Sequence, residues 1–298
     1  MLISTHYKLG KTQKDLAFAD VSIIDDTPKF IDPWLIKDLH SSFGRSAAEL
    51  VQTYFDEVLK AISSGDKDRA MELLSHLHEV NWTRLGYSIK GARGKAIAAE
   101  HAGQIYKALK ESRAVKTGIL KDLEDTALLI RGIDKDKISD MITNIIMPLL
   151  IQFTNEQTAL HGIEQFTIHK TCHFWDSRTK KWVRTSSFKL PMNDGKPLLL
   201  VPELIVNDEL AVNSGDFYNK YILGFEQERH LNNPSLGLCR LLKNGQRKAP
   251  SKKKLKLLVP KTNDQIIKYV NEHSELLTQY KTDLKGKRTV KKRRKRRT

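Results

Sequence analysis

No stretch of the chain reaches the roughly 20 consecutive apolar residues that a membrane-spanning helix needs. The best run, Ile142 to Phe153, is short and interrupted by Asn144 and Pro148. Cysteine is nearly absent: Cys172 and Cys239 are the only two, too few for a disulfide framework and suited to a reducing cytosol. With only 9 Pro and 16 Gly, the chain is neither collagen-like nor mucin-like. Its 40% hydrophobic and 29% charged residues exclude wholesale disorder. Met1-Leu2-Ile3-Ser4-Thr5-His6 lacks a basic start followed by an apolar core, so no secretory signal is expected. A cytoplasmic protein with no membrane partner is the expectation. Its 298 residues suffice for one large domain or two small ones.

What the chain does have is positive charge, unevenly spread. Lys plus Arg number 51 against 35 Asp plus Glu, a formal +16. Residues 285–298 hold ten of those bases and no acid, which leaves +6 for the rest. A second block, Lys243 to Lys261, holds eight Lys or Arg and no acid. Such blocks attract polyanions over about a Debye length, and nucleic acid is the commonest such partner. A solubilising tail and a solvated loop would show the same composition.

The pattern along the chain changes period several times. Phe18, Val21, Ile23 and Ile24 read as a strand, with a turn at Asp25 to Pro28. Leu50, Val51, Tyr54, Phe55, Val58, Leu59 and Ile62 then recur at three and four, a helix with Ser46 as N-cap. A second helix starts at Asp66 and carries Ala70, Leu73, Leu74 and Leu77. A third follows Gly94, with Ile97, Ile105 and Leu109. The fourth runs from Asp136 to Phe153 with a kink at Pro148. From 164 to 206 the signal is β: Phe174-Trp175 and Trp182-Val183 flank a polar stretch, and Asn193-Asp194-Gly195 is a hairpin turn. Leu198 to Val201 reads as a buried strand, and helical spacing returns from Asn263 through Tyr280. Helices and strands that cluster rather than alternate make an α+β class. The expectation is a mostly helical domain over 1–284, with a central antiparallel hairpin region (164–206), a basic loop (243–261) and a disordered basic tail (285–298).

The residues that could carry chemistry lie between Leu123 and Lys170. Asp134, Asp136 and Asp140 fall at the start of the fourth helix, and Asp136 and Asp140 are one turn apart on one face. Two close carboxylates can hold Mg²⁺ or Mn²⁺ for phosphodiester cleavage. Equally, acids at a helix start cap free N–H groups and offset the macrodipole. Nucleases of the PD-(D/E)xK type pair an acid-x-Lys strand with a further acid. Here Lys170 follows Ile168 rather than an acid, so Glu164 would have to supply the missing carboxylate. His161, His169, Cys172 and His173 lie close in sequence, but Cys172 and His173 would face opposite sides of a strand.

Two further segments could meet phosphate or bases. Gly86 to Lys95 places Lys90, Arg93 and Lys95 among glycines before a helix, a phosphate cradle or a plain helix entry. The hairpin from Phe174 to Arg184 interleaves Arg178, Lys180 and Lys181 with aromatics, which stack on unpaired bases or pair across the strands as core.

Asp134-Lys-Asp-Lys-Ile-Ser-Asp140 with Asn144, and Trp182 through Leu190-Pro191 to Leu199-Leu200-Val201-Pro202, resemble uncharacterised bacterial proteins found near restriction and phage-defence genes. The resemblance covers about residues 120–205. It implies a defence-related role and singles out Asp136, Ser139, Asp140 and Asn144. The leading expectation is a metal-dependent nuclease effector with Asp136, Asp140, Glu164 and Lys170 as catalytic residues, Asp136 and Asp140 holding the metal. Lys90, Arg93, Lys95, Arg178, Lys180, Lys181, Lys252, Lys253, Lys254, Arg293 and Arg294 would bind nucleic acid, DNA ahead of RNA. The alternative is a non-catalytic nucleic-acid-binding subunit whose protein partner in a defence complex does the chemistry.

Overall fold

A computed structural model describes residues 1–86 and 95–295, with 95–99 and 287–295 described as backbone only. The fold is α+β: helices dominate, and the strands pair antiparallel in five two-stranded sheets among the described residues. No helix among them is long and apolar enough to cross a membrane. Where the sequence pointed to one domain over 1–284, packing groups the chain into two compact units. The larger comprises Met1–Glu111, Lys121–Glu124 and Gly132–Ala211; the second comprises Ser112–Leu120, Asp125–Arg131 and Val212–Thr298. Helical periodicity shows which face of a segment is buried, not which segment buries it.

In the larger unit the long helix Ser42–Ser63 buries Val51, Tyr54, Phe55, Val58 and Ile62, as their spacing requires. It begins four residues before the expected Ser46 cap. Ser41 is the cap instead, its hydroxyl accepting from the Gly44 amide at 3.0 Å. Gly44 sits there because a Cβ would lie 1.9 Å from the Leu39 carbonyl oxygen. Asp66, where the sequence starts this helix, is the N-cap of Lys67–Leu74, accepting from Arg69 N–H at 3.0 Å; the helix ends before the expected Leu77. The expected fourth helix is two, Lys135–Ile145 and Met147–His161. Pro148 stands in the first turn of the second, where its missing N–H is no loss, so it starts a helix rather than kinking one.

The β region follows its predicted turns. Asp194 and Gly195 adopt positive φ (47° and 70°) between the short strands Met192–Asn193 and Lys196–Pro197. Cys172–Asp176 pairs with Lys181–Thr185 so that Trp175 faces Trp182. Phe166–Ile168 pairs with Phe188–Leu190. Leu198 to Val201 are buried as expected, yet they form no ladder. Their amides go to separate partners, Leu198 to the Pro191 carbonyl, Leu199 to that of Trp82 and Leu200 to the Thr154 hydroxyl. Leu198 and Leu200 join Ile3, Leu16, Phe18, Val21 and Ile23 in one apolar cluster. Ile24, expected with them, is 64% exposed.

The second unit is built around Phe217, Tyr218, Ile222, Ile266, Ile267, Val270 and Tyr280, all buried. The helices Asn263–Glu272 and Ser274–Lys295 divide at His273 what the sequence read as one run. Buried Asp125 receives Lys281 Nζ at 2.7 Å, and Leu128 accepts from the Asn263 side chain at 3.3 Å. The backbone of the last helix continues to Lys295, into the segment expected as a basic tail; Lys and Arg are good helix formers.

Candidate functional site

The helix Lys135–Ile145 sorts its three aspartates by role. Asp134 is the N-cap, its carboxylate accepting from Lys137 N–H at 3.0 Å. Asp136 lies in the first turn, and Asp140 one turn later. With Asn144 they form a polar stripe at i, i+4 and i+8, which runs along residues 78–86. The Asn144 amide donates to the His78 carbonyl at 2.6 Å. Val80 N–H donates to the Asp140 carboxyl. At the far end, a Cβ on Gly86 would stand 2.7 Å from Asp136 Oδ1, and Gly86 has φ +103°. Only glycine fits there without strain. Elsewhere on the same helix the buried Ser139 hydroxyl accepts from Ile31 N–H at 2.9 Å. The four residues singled out by resemblance therefore pin two neighbouring segments to one helix.

The Asp140 carboxyl is strongly perturbed. Burial chiefly, then the negative charges of Asp136, Glu79 and Asp134, push its pKa up to about 8, against the Val80 hydrogen bond. It holds a proton at neutral pH. The further acid that acts on Asp140 is Glu79, not Glu164, which is exposed between His161 and Phe166. The sequence carried no signal for Glu79. The apolar spacing from Ala70 to Leu77 continues the second helix toward it, but the helix ends at Leu74 with no glycine or proline to mark the stop.

Lys170 is exposed, with Nζ 4.8 Å from the centre of the Trp82 ring. It acts electrostatically on His78 and Cys172, not on Asp140. The expected quartet of Asp136, Asp140, Glu164 and Lys170 is thus not assembled as expected. Among the described residues, no group of three or more His, Cys, Asp or Glu side chains could hold a metal ion. His76 and His173 do meet, with ring centres 4.3 Å apart. Burial first, then His173 and His78, lowers the pKa of His76 to about 4, so His76 is uncharged at neutral pH.

In the hairpin the tryptophans are core. Trp175 and Trp182 pack edge to face at 5.7 Å and both meet Tyr54. Their indole N–H groups donate to Thr53 Oγ1 and the Leu73 carbonyl. Lys180 pairs with Glu57 at 3.1 Å, while Arg178 and Lys181 are exposed. Lys90 and Arg93 lie outside the described residues, as do the side chains of Lys95, Arg293 and Arg294.

Lys252, Lys253 and Lys254 are exposed in the first turn of the helix Lys252–Leu258, which Ser251 caps. Three cations there oppose the helix dipole and one another, a local cost the fold alone does not require. Arg240, Lys243, Arg247 and Lys248 are exposed on the adjoining hairpin, and none of these seven forms an ion pair among the described residues.

Residues 8–213 match the family described as a domain of unknown function (DUF8370), and the chain belongs to that family. No curated protein and no solved structure matches it. The family region takes in nearly all of the larger unit and stops short of residues 214–298.

Proposed function

We propose that the protein binds nucleic acid, with the second unit as the principal binding region. The carrying observation is the division of charge. The second unit holds 26 Lys or Arg against 8 Asp or Glu, whereas the larger unit holds 25 against 27. Seven of these bases are exposed and form no ion pair among the described residues, three of them at a helix start where they oppose the dipole. Of the two readings drawn from the sequence, this favours the non-catalytic one. The carboxyl of Asp140 and the side chains of Ser139 and Asn144 have structural partners, and Asp140 is protonated at neutral pH. Fluorescence anisotropy with labelled duplex DNA, single-stranded DNA and RNA tests the proposal. Lys252→Glu with Lys253→Glu and Lys254→Glu should weaken binding at least tenfold. Unchanged affinity would overturn it. Incubating the same probes with Mg²⁺ or Mn²⁺ should leave them intact, and cleavage lost in Asp136→Asn would restore the nuclease reading.

A further inference from the structure

The hairpin Cys172–Asp176/Lys181–Thr185 has two faces, and the core uses one. Trp175 and Trp182 point toward Tyr54, so the alternate residues Phe174 and Val183, opposite each other in register, lie on the other face. Phe174 is half-buried there, and Val183 is 49% exposed. From Phe174 a row of rings continues. The Phe188 ring centre is 6.4 Å from that of Phe174, and Trp82 is 5.8 Å beyond Phe188. Both added rings are also half-buried, and Lys170 Nζ caps the row over Trp82. Trp82 is fixed in place by its carbonyl, which accepts from Leu199 N–H at 2.8 Å.

The row's surroundings are as informative as its rings. Residues 166–190 hold six Lys or Arg and one Asp, while the remainder of the larger unit holds 19 bases against 26 acids. A cationic, aromatic strip inside an otherwise acidic unit is complementary to a polyanion that carries flat apolar groups. We propose that Trp82, Phe188 and Phe174 form a stacking platform for unpaired nucleobases, which rests on the nucleic-acid reading above. The ring centres are spaced well beyond the roughly 3.4 Å rise of stacked bases, which suits a strand with its bases splayed apart rather than a duplex. Stacking needs only the π-face of each base, so the platform would accept any sequence.

The test uses the full chain with oligo(dT), oligo(rU) and a DNA duplex of equal length, followed by anisotropy. The wild type should prefer the single strands. Phe188→Leu, which keeps apolar volume but removes the ring, should lower single-strand affinity about fivefold or more relative to duplex affinity. Phe188→Tyr, which keeps the ring, should restore it, and a near-ultraviolet dichroism spectrum like the wild type's shows that both variants fold. Equal affinity for single strand and duplex in the wild type, or an unchanged ratio in Phe188→Leu, overturns the platform. The Lys252, Lys253 and Lys254 charge reversal, run alongside, separates the two ideas. Loss of binding there with no effect at Phe188 sinks the platform alone; the reverse result sinks the basic unit as principal binder. No binding by any probe removes both.

Discussion

The two units handle charge in opposite ways. In the larger one, cations are spent internally: Lys29 pairs with Asp208, Lys37 with Asp122 and Glu124, Lys135 with Glu209 and Lys180 with Glu57. Its formal charge is −2. The second unit carries +18, and Arg240, Lys243, Arg247, Lys248 and Lys252 to Lys254 stand exposed without an acid. Self-repulsion of that size destabilises a compact unit unless a counter-charge arrives. The lesson is that a whole-chain charge of +16 describes neither part. It is the sum of a nearly neutral unit and a strongly basic one.

The largest expected effect is on salt dependence. Each phosphate neutralised contributes about −0.9 to the slope of log K against log salt, so six contacts would cost about a thousandfold in affinity between 50 and 200 mM. Reversing Lys252, Lys253 and Lys254 should flatten that slope by about 2 to 3, while reversing the exposed Lys60, Lys67 and Lys107 of the larger unit should leave it nearly unchanged. Equal effects from both triplets would erase the contrast between the units.

Next in size is the pH dependence of the larger unit. The folded pKa of Asp140 lies above its unfolded value, so the folded state holds the extra proton between about pH 4 and 8. Its contribution to stability is full below pH 4 and drains away as pH rises toward 8. Asp140→Asn cannot ionise and should gain several kcal/mol over wild type at pH 9, up to about 5, with little difference at pH 4, by urea denaturation. A gap that is independent of pH would show that Asp140 is ordinary.

Loss of the Asn144 amide in Asn144→Ala strips the His78 and Asp140 carbonyls of a donor. The expected cost is roughly 1 to 3 kcal/mol, read by the same denaturation. The smallest effect sharpens the comparison from the other side. Glutamate at 252, 253 and 254 favours the helix dipole, so each reversal that weakens binding should stabilise its helix by a few tenths of a kcal/mol. A destabilised triple variant would mean that these lysines serve the fold after all.

Local chemistry was legible in the sequence and partnership was not. The helix start at Asp66, the Asp194-Gly195 turn and the facing Trp175 and Trp182 each follow from residues adjacent in sequence or paired across one hairpin. Glu79 was missed because a helix that stops at Leu74 without a breaker leaves no mark, and the residues beyond it are held by Asp140 and Asn144 from far along the chain. The displaced cap has a similar cause. Ser41 and Ser46 are equally good caps by type, and the close approach of Gly44 to Leu39 selects between them. The division into units was illegible for the same reason, since nothing in Ser112–Leu120 or Asp125–Arg131 shows which distant elements they pack with.

Those two short segments also constrain how the molecule can be taken apart or inherited. Both lie within the stretch that defines the family, yet they complete the unit formed mainly by residues beyond it. Removing everything after Ala211 would strip cover from Leu128 and Leu129 and leave buried Asp125 without Lys281. The basic unit is therefore no detachable appendage. A lineage that shed it would have to rebuild the middle of its family domain as well.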